Sequence, residues 1–291
     1  MVEVSKTQVI PVQSAQPVDD FLENMSYQRL KKNLQVKVGV DFSGYRDEYL
    51  KRRMQIRLRA TGSISFGRYL QYLAKNPDEY SILLNEITVN YTVFMRDNDV
   101  YNYLEYQVLP KLFQKSPVRI WSAGCATGEE PYSLAILTHK ILGPKLATHN
   151  VSIYASDIDK DALSKAAKGV YQEKQLQGVN KLTVDNYFTK EDGQYKVKDY
   201  VKQLVHFEEF DLMKPAAHTG LDLILCRNVM IYFSREGQQT VHMHFYNALR
   251  DGGYFVSGKA EILSGEPAAK FVPIDVRARV YQKQNSAMHI N

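Results

Sequence analysis

The chain has 291 residues, a length that fits one large domain or two modest ones. Its 44% hydrophobic and 24% charged residues are ordinary for a globular protein, and they exclude a disordered, collagen-like or low-complexity chain over most of its length. Two cysteines, Cys125 and Cys226, are too few for a disulfide scaffold. We find neither a secretory signal nor an apolar run of about 18 residues, so we expect a cytoplasmic protein.

The net charge of +5 is unevenly distributed. Residues 29–59 hold ten lysines and arginines against three acidic residues, which gives this stretch a charge of +7 and the rest of the chain −2. A basic surface of this kind suits an acidic partner, which could be a nucleic acid, an anionic membrane or an acidic protein.

The first part of the chain is predicted to be a loose tail over residues 1–18 and a helical domain over 19–86. Leu50, Met54 and Leu58 repeat every four residues and predict a helix from about Tyr45 to Ala60. Gly62 follows as a plausible end of that helix.

From Val118 onward, short apolar strands alternate with helical segments, which predicts a buried parallel sheet of the doubly wound α/β class. The predicted strands are Val118–Ala123, Val151–Ser156, Leu221–Cys226 and Tyr254–Gly258, and the helices are about Pro131–Leu142, Asp161–Lys168 and Glu236–Leu249. Two further short strands, Phe271–Ile274 and Arg279–Gln282, predict an antiparallel hairpin at one sheet edge. Residues 186–208, with a hairpin turn at Asp192-Gly193, are interpreted as a small inserted β-subdomain.

The first strand leads into a turn that starts at Gly124 and ends at Gly128-Glu129-Glu130. This G-x-x-x-G pattern lacks the third glycine of a dinucleotide fingerprint, and two carboxylates would repel a phosphate. They suit a ligand that carries ammonium, sulfonium or hydroxyl groups. The alternative is a glycine-rich turn with a capping glutamate.

Two other strand ends carry polar residues where ligands bind in doubly wound sheets. Asp157 follows the second strand and is placed to accept hydrogen bonds from ribose hydroxyls, although a helix N-cap is the alternative and fits Asp159 better. The strand that ends at Cys226 continues through Arg227-Asn228 to Tyr232-Phe233, which suggests the lip of a site. The alternative is that these two aromatic residues belong to the core.

Four motifs in this order resemble the chemotaxis receptor methyltransferases of the CheR type, and the resemblance spans about residues 20–285. The motifs are Asn90–Arg96 (NYTVFMR), Trp121–Ser133 (WSAGCATGEEPYS), Ala155–Asp159 (ASDID) and Cys226–Phe233 (CRNVMIYF). The family implies a Rossmann-like methyltransferase sheet with an antiparallel edge hairpin and an inserted β-subdomain, preceded by a small all-α domain. The expected domains are a linker over residues 87–97, which contributes to the cofactor site, and a methyltransferase domain over 98–285.

The resemblance also implies S-adenosylmethionine as cofactor, S-adenosylhomocysteine as product, and a set of cofactor-binding positions. These are Asn90, Thr92, Arg96, Glu130, Asp157, Asp211, Leu212, Asn228 and Val229. Two positions depart from the family: Asp211 stands where an asparagine is common, and Met95 replaces a second phenylalanine.

The implied reaction transfers a methyl group to the γ-carboxylate of a chemoreceptor glutamate and forms a methyl ester. A carboxyl group with a pKa of about 4.3 is already ionised at neutral pH, so no general base is needed. No histidine or cysteine pair has ligand spacing, so we expect no metal.

Arg96 and Tyr232 are the candidate catalytic residues: Arg96 could hold the incoming carboxylate and Tyr232 could place its ring beside the sulfonium. The alternative for Arg96 is a structural ion pair with an acidic residue of the linker.

The expected partner is the acidic helical bundle of a chemoreceptor, docked on the predicted basic helix by Arg46, Arg52, Arg53, Arg57 and Arg59. The alternative is a solvated charged face. We expect no nucleic acid, no membrane insertion and no strong tethering of a receptor tail peptide by the short Lys190–Gln194 loop. Two other functions stay open at this stage: a nucleic-acid methyltransferase, which would usually show a proline-rich motif after the fourth strand, and a non-catalytic sensory module that binds S-adenosylmethionine.

Overall fold

A computed structural model describes residues 20–284, and the predicted tail over residues 1–18 lies outside them. The first four helices form an all-α domain, as predicted. They are α1 (Asp20–Val38), α2 (Asp47–Ala60), α3 (Phe66–Lys75) and α4 (Glu79–Ile87). The Leu50, Met54 and Leu58 stripe of α2 is buried in the core of this domain.

The connection to the second domain contains helical segments for which the sequence pattern gave no prediction. Two short helices, α5 (Asn98–Tyr103) and α6 (Leu109–Leu112), flank a π-helical turn over Leu104–Val108. Their apolar residues pack against the sheet of the second domain, so this stretch covers one face of that sheet.

Seven strands form the main sheet, in the spatial order β6-β2-β1-β7-β8-β10-β9. They are β1 (Val118–Ala123), β2 (Val151–Asp157), β6 (Val205–Glu209), β7 (Leu221–Cys226), β8 (Leu249–Ser257), β9 (Phe271–Asp275) and β10 (Val280–Lys283). The five strands from β6 to β8 are parallel, and β10 and β9 add the antiparallel edge that was predicted.

Helices cover both faces of this sheet, which makes it doubly wound. The two faces are visible in adjacent residues of β1, since Ile120 packs in one apolar cluster and Trp121 in the other. The longer helices of this domain are α7 (Glu129–Leu142), α8 (Lys160–Lys168) and α11 (Arg235–Ala248); the shorter ones are α9 (Lys181–Tyr187), α10 (Asp199–Lys202) and α12 (Glu266–Lys270). Among residues 20–284, no helix is both long and apolar enough to cross a lipid bilayer.

The inserted β-structure differs from the interpretation of residues 186–208. A separate three-stranded antiparallel sheet does exist, but it consists of β3 (Val170–Tyr171), β5 (Gln194–Val197) and β4 (Phe188–Glu191). The last strand of the predicted segment, β6, instead pairs in parallel with β2 and forms an edge of the main sheet. Its half-polar sequence is typical of an edge strand, which is why it could be mistaken for part of a hairpin.

Candidate active site

A cleft that is open to solvent lies at the carboxyl ends of β1, β2 and β7. The linker before α5 and part of the helical domain complete its walls. The structure brings together here every predicted catalytic and cofactor-binding residue except Asp211: Asn90, Thr92, Arg96, Glu130, Asp157, Leu212, Asn228, Val229 and Tyr232 line it.

The turn after β1 can approach the opposite wall of the cleft because it begins with glycine. Gly124 has a φ of +78°, and a Cβ at this position would lie 2.6 Å from a methyl group of Val229. The two glutamates that follow face different ways. Glu130 lines the cleft, whereas the Glu129 carboxylate is buried against the Thr127 hydroxyl and the Gln175 amide.

Glu130 is the buried acid of the cleft. Its Oε1 accepts a hydrogen bond from Ser122 Oγ at 2.8 Å, and its Oε2 lies 3.7 Å from Nη1 of Arg227. Burial raises the pKa of Glu130, and the positive charge of Arg227 opposes that rise. A positively charged group bound in the cleft would stabilise the ionised form further.

The two aspartates near the end of β2, Asp157 and Asp159, have different roles. The Asp157 carboxylate lines the cleft and accepts the amides of Ala126 at 2.8 Å and Asp159 at 3.0 Å; burial raises its pKa. Asp159 is the N-cap of α8, as the alternative proposed, because its side chain accepts the amides of Asp161 and Ala162. Its other oxygen accepts a hydrogen bond from the Asn90 side-chain amide at 2.6 Å, so the linker is joined to the N-terminus of α8.

Glu261, a residue that the sequence analysis missed, is buried close to the turn after β7. Glu261 is 5% exposed and its Oε2 accepts the Gly258 amide at 2.6 Å. Burial raises its pKa, while the nearby backbone amides of Gly258 and the Asn228–Ile231 turn lower it. Within this turn Asn228 has a φ of +61°, and its buried Oδ1 makes no hydrogen bond with the described part of the chain.

Arg96 and Tyr232 lie in the cleft wall, but they are held in different ways. Arg96 is half-buried, donates to the Tyr91 carbonyl at 3.1 Å and lies 5.7 Å from the centre of the Tyr91 ring. The ion pair considered as its alternative belongs to another residue, since Arg227 Nη2 lies 2.5 Å from Oδ2 of the linker residue Asp97. The Tyr232 ring packs at a tilt against Tyr49 of α2, with 4.8 Å between the ring centroids, and burial raises the pKa of its hydroxyl.

Asp211 does not line the cleft and instead joins two parts of the chain. Its Oδ1 accepts the Met213 amide and its Oδ2 the amide of Asp41, both at 3.0 Å. Asp41 lies in the loop that leads from α1 to α2, in the helical domain.

The predicted docking arginines fall into two groups. Arg53 Nη1 lies 3.2 Å from Glu86 Oε1, and Arg57 Nε lies 2.9 Å from Glu79 Oε1, so both are ion-paired with α4. Arg46, Arg52 and Arg59 are exposed. Arg46 donates to the carbonyl of Ile231 beside the cleft, and Arg52 lies over the ring of Tyr49.

The cleft fits the parts of S-adenosylmethionine. Asp157 offers carboxylate oxygens for a ribose diol, Glu130 offers a buried negative charge for an ammonium group, and Asn228 offers an unpaired buried acceptor. Leu212 and Phe210 supply an apolar wall for a base. Within residues 20–284 no group of three or more histidine, cysteine, aspartate or glutamate residues is arranged to hold a metal ion.

Comparison with known protein families assigns both domains to one family. Residues 25–88 match the family described as "CheR methyltransferase, all-alpha domain", and residues 90–279 match "CheR methyltransferase, SAM binding domain". The chain belongs to the CheR methyltransferase family. It is therefore an S-adenosylmethionine-dependent methyltransferase, as the sequence motifs implied.

Relatives of this CheR-family chain carry the name chemotaxis protein methyltransferase. The one from Listeria innocua serovar 6a is 33% identical over 78% of this chain and 86% of its own length. The one from Borreliella burgdorferi is 30% identical over 84% and 90%, respectively, and the one from Salmonella typhimurium is 30% identical over 84% and 85%. The similarity thus extends across both domains.

Proposed function

We propose that this CheR-family enzyme methylates the γ-carboxylates of chemoreceptor glutamates during chemotactic adaptation, in the cytoplasm. The observation that carries the proposal is the cleft, which is lined by a half-buried cation, Arg96, and by Tyr232. A cation at the mouth of a methyltransferase cleft suits an anionic acceptor such as a carboxylate. The relatives are named chemotaxis protein methyltransferases, which indicates that the acceptor protein is a chemoreceptor.

Cofactor binding is divided among the residues that line the cleft. Glu130 takes the ammonium group and Asp157 the ribose hydroxyls, since each presents a buried carboxylate to the cleft. Leu212 and Val229 contact the apolar parts, and Asn228 supplies its unpaired oxygen as an acceptor. Asn90 and Thr92 contact the cofactor from the linker, which the hydrogen bond from Asn90 to Asp159 holds in place, and Asp211 supports the wall from outside the cleft.

Catalysis by these side chains consists of positioning and charge stabilisation. When bound, S-adenosylmethionine supplies an activated methyl group. Arg96 holds the acceptor carboxylate by a charge-assisted hydrogen bond and orients one of its oxygens for transfer. Tyr232 is neutral at neutral pH, as an ordinary phenol is, and burial raises its pKa further, so its ring can lie beside a positive charge. No side chain has to remove a proton, because the carboxylate is already ionised.

The receptor docks on the exposed arginines of the segment before α2 and of α2 itself, namely Arg46, Arg52 and Arg59. Receptor regions that carry modifiable glutamates are acidic, so these arginines provide complementary charge. Arg53 and Arg57 contribute less, because their charges are already paired with α4.

A transfer assay with labelled S-adenosylmethionine tests the proposed acceptor. A chemoreceptor cytoplasmic fragment, the same fragment with its glutamates changed to alanine, and RNA are offered side by side. We expect base-labile label on the unaltered fragment alone, because methyl esters hydrolyse in alkali. Label on RNA would identify a nucleic-acid methyltransferase, and cofactor binding without transfer to the fragment would indicate a sensory module.

A further inference from the structure

The loop between α1 and α2 is built into the second domain beside the cleft. We call residues Asp41–Arg46 the docked segment. Three hydrogen bonds from backbone amides join it to the second domain: Asp41 N to Asp211 Oδ2 at 3.0 Å, Ser234 N to Gly44 O at 2.8 Å, and Arg46 N to Tyr232 O at 3.0 Å. An antiparallel bridge between Tyr45 and Phe233 continues this pairing. The segment therefore behaves as a short strand added to the turn that carries Tyr232.

Two glycines make this approach possible. A Cβ on Gly237 would lie 2.3 Å from the Gly44 carbonyl oxygen, and a Cβ on Gly44 would lie 2.4 Å from the sulfur of Met213. The first of these contacts is with backbone, which cannot swing aside as a flexible side chain can. Any residue larger than glycine at position 237 therefore has to push the docked segment away from the second domain.

The docked segment brings Tyr45 into the wall of the cleft. Its ring lies 4.4 Å from the ring of Phe233, and it lines the cleft together with Leu212 and Asp157. Burial together with the carboxylates of Asp211 and Asp157 raises the pKa of Tyr45 above its ordinary value, at which its hydroxyl is already neutral at pH 7. The wall thus includes an aromatic ring that belongs to the helical domain.

We infer that Tyr45 is a cofactor-contacting residue contributed by the helical domain, and that Gly44, Gly237 and Asp211 are positioning residues that seat it. This inference rests on the proposed cofactor site and is independent of which acceptor is methylated. The helical domain is then part of the machinery that binds S-adenosylmethionine, in addition to carrying the basic surface.

The geometry at Asp211 explains why a carboxylate serves this role. Each of its oxygens accepts one backbone amide, from Met213 on its own side and from Asp41 of the docked segment. An asparagine has one side-chain oxygen and one NH₂ group, so it would set a donor against a donor at one of the two amides. Replacing Asp211 by asparagine therefore weakens the attachment of the docked segment without changing the size of the side chain.

The test measures the affinity of the full chain for S-adenosylhomocysteine by calorimetry, and backbone protection of residues 41–46 by hydrogen exchange. We expect Tyr45→Ala to bind at least tenfold more weakly and Tyr45→Phe within threefold of the unaltered chain, because the ring forms the wall. Gly237→Ala and Asp211→Asn should also bind more weakly, and they should lose protection of residues 41–46. Gly67→Ala is the matched control, because a Cβ there is 3.4 Å from its nearest neighbour, Ser26 Oγ, and its affinity should stay within twofold.

The possible outcomes distinguish a failure of this inference from a failure of the proposed acceptor. Affinity of Tyr45→Ala equal to that of the unaltered chain overturns the inference, whatever the exchange data show. An equal loss in Gly67→Ala also overturns it, because general weakening of the helical domain would then explain the effect. If receptor fragments are not methylated but the Tyr45 and Gly237 variants lose affinity as expected, the inference stands and the proposed acceptor fails.

Discussion

Arg57 and Glu79 form a doubly hydrogen-bonded ion pair inside the helical domain. Arg57 donates from Nε to Oε1 at 2.9 Å and from Nη2 to Oε2 at 3.0 Å, and the Tyr69 hydroxyl donates to the same carboxylate at 2.8 Å. The Glu79 side chain is 5% exposed, so its charge depends on these partners. Arg57 therefore belongs to the internal structure of the domain, although its position in a basic helix suggests a surface role.

The Arg57→Glu variant should have a lower free energy of unfolding than the unaltered chain, because the substitution places a second carboxylate against the buried Glu79. Removing one partner of a buried ion pair costs about 3–5 kcal/mol, and we expect about 3 kcal/mol here because Arg57 is partly exposed. Arg59→Glu is the control, since Arg59 is exposed on the same helix. Urea unfolding of the two variants gives the comparison, and similar midpoints for both would contradict the structural role of Arg57.

Receptor docking is better tested at Arg52 and Arg59 than at the paired arginines. Changing both to glutamate should slow methylation of a receptor fragment, most clearly at low salt, because exposed charges act mainly on the association rate. Affinity for S-adenosylhomocysteine should not change. Initial rates measured over a range of ionic strengths provide the test. A variant that matches the unaltered enzyme at every salt concentration would place the docking surface elsewhere.

Arg96→Ala should lose catalysis without losing stability. Its hydrogen bond to the Tyr91 carbonyl is at the surface, so few contacts that stabilise the fold depend on it. Misplacing a reacting group by about 1 Å can lower the rate by about 10²-fold, and we expect a loss of that order in kcat/KM because Arg96 positions the acceptor carboxylate. The free energy of unfolding should change by less than about 0.5 kcal/mol. Wild-type turnover would remove Arg96 from the reacting centre.

Glu130→Gln should weaken S-adenosylhomocysteine binding by about 1–3 kcal/mol, because the amide cannot supply the negative charge that an ammonium group requires. Asp192→Asn, a similar change in the remote β4–β5 turn, should have no effect. Calorimetry on the two variants measures the difference. Unchanged affinity in Glu130→Gln would show that this carboxylate supports the turn and Arg227 but does not touch the cofactor.

His242 makes stability depend on pH in the acidic range. It is 2% exposed beside Phe245 and Phe255, and burial lowers its pKa from 6.5 to about 4. Since the unfolded chain binds the proton more readily, stability is lost as pH falls below about 6.5 and the loss is complete near pH 4. Between pH 7 and pH 5 this histidine should account for a loss of about 2 kcal/mol. His242→Leu should lack that loss, and an identical pH profile in both proteins would contradict the assignment.

The strands and the main site residues could be predicted because each depends on short segments of sequence. Continuous apolar runs indicate strands, and the residues that directly follow parallel strands meet at one edge of the sheet. Glu130, Asp157 and Asn228 were found in this way. The same reasoning separated Asp157 from the N-cap Asp159, because an N-cap is recognised by its place before a helix.

The remaining features depend on contacts between distant parts of the chain. Tyr45 reaches the cleft only because Gly44 and Gly237 meet, and nothing near Tyr45 in the sequence indicates that contact. Glu261 lies close to the turn that contains Asn228, far from it in the sequence. The pairing of Arg53 and Arg57 with glutamates of α4 likewise follows from how two helices pack, which a count of charges along one helix cannot reveal.

The two outermost strands of the main sheet have a consequence for solution behaviour at high concentration. An open sheet edge offers unpaired backbone groups to a second molecule, and such contacts lead to aggregation. One edge here is β9, which carries Pro273 at its centre and so lacks one amide that pairing would use. The other edge is β6, which ends in two charged residues, Glu208 and Glu209, and charged side chains on an edge strand disfavour pairing with a second copy. Each edge therefore discourages sheet-to-sheet association by a different physical means: β9 lacks a hydrogen-bond donor, and β6 carries charged side chains.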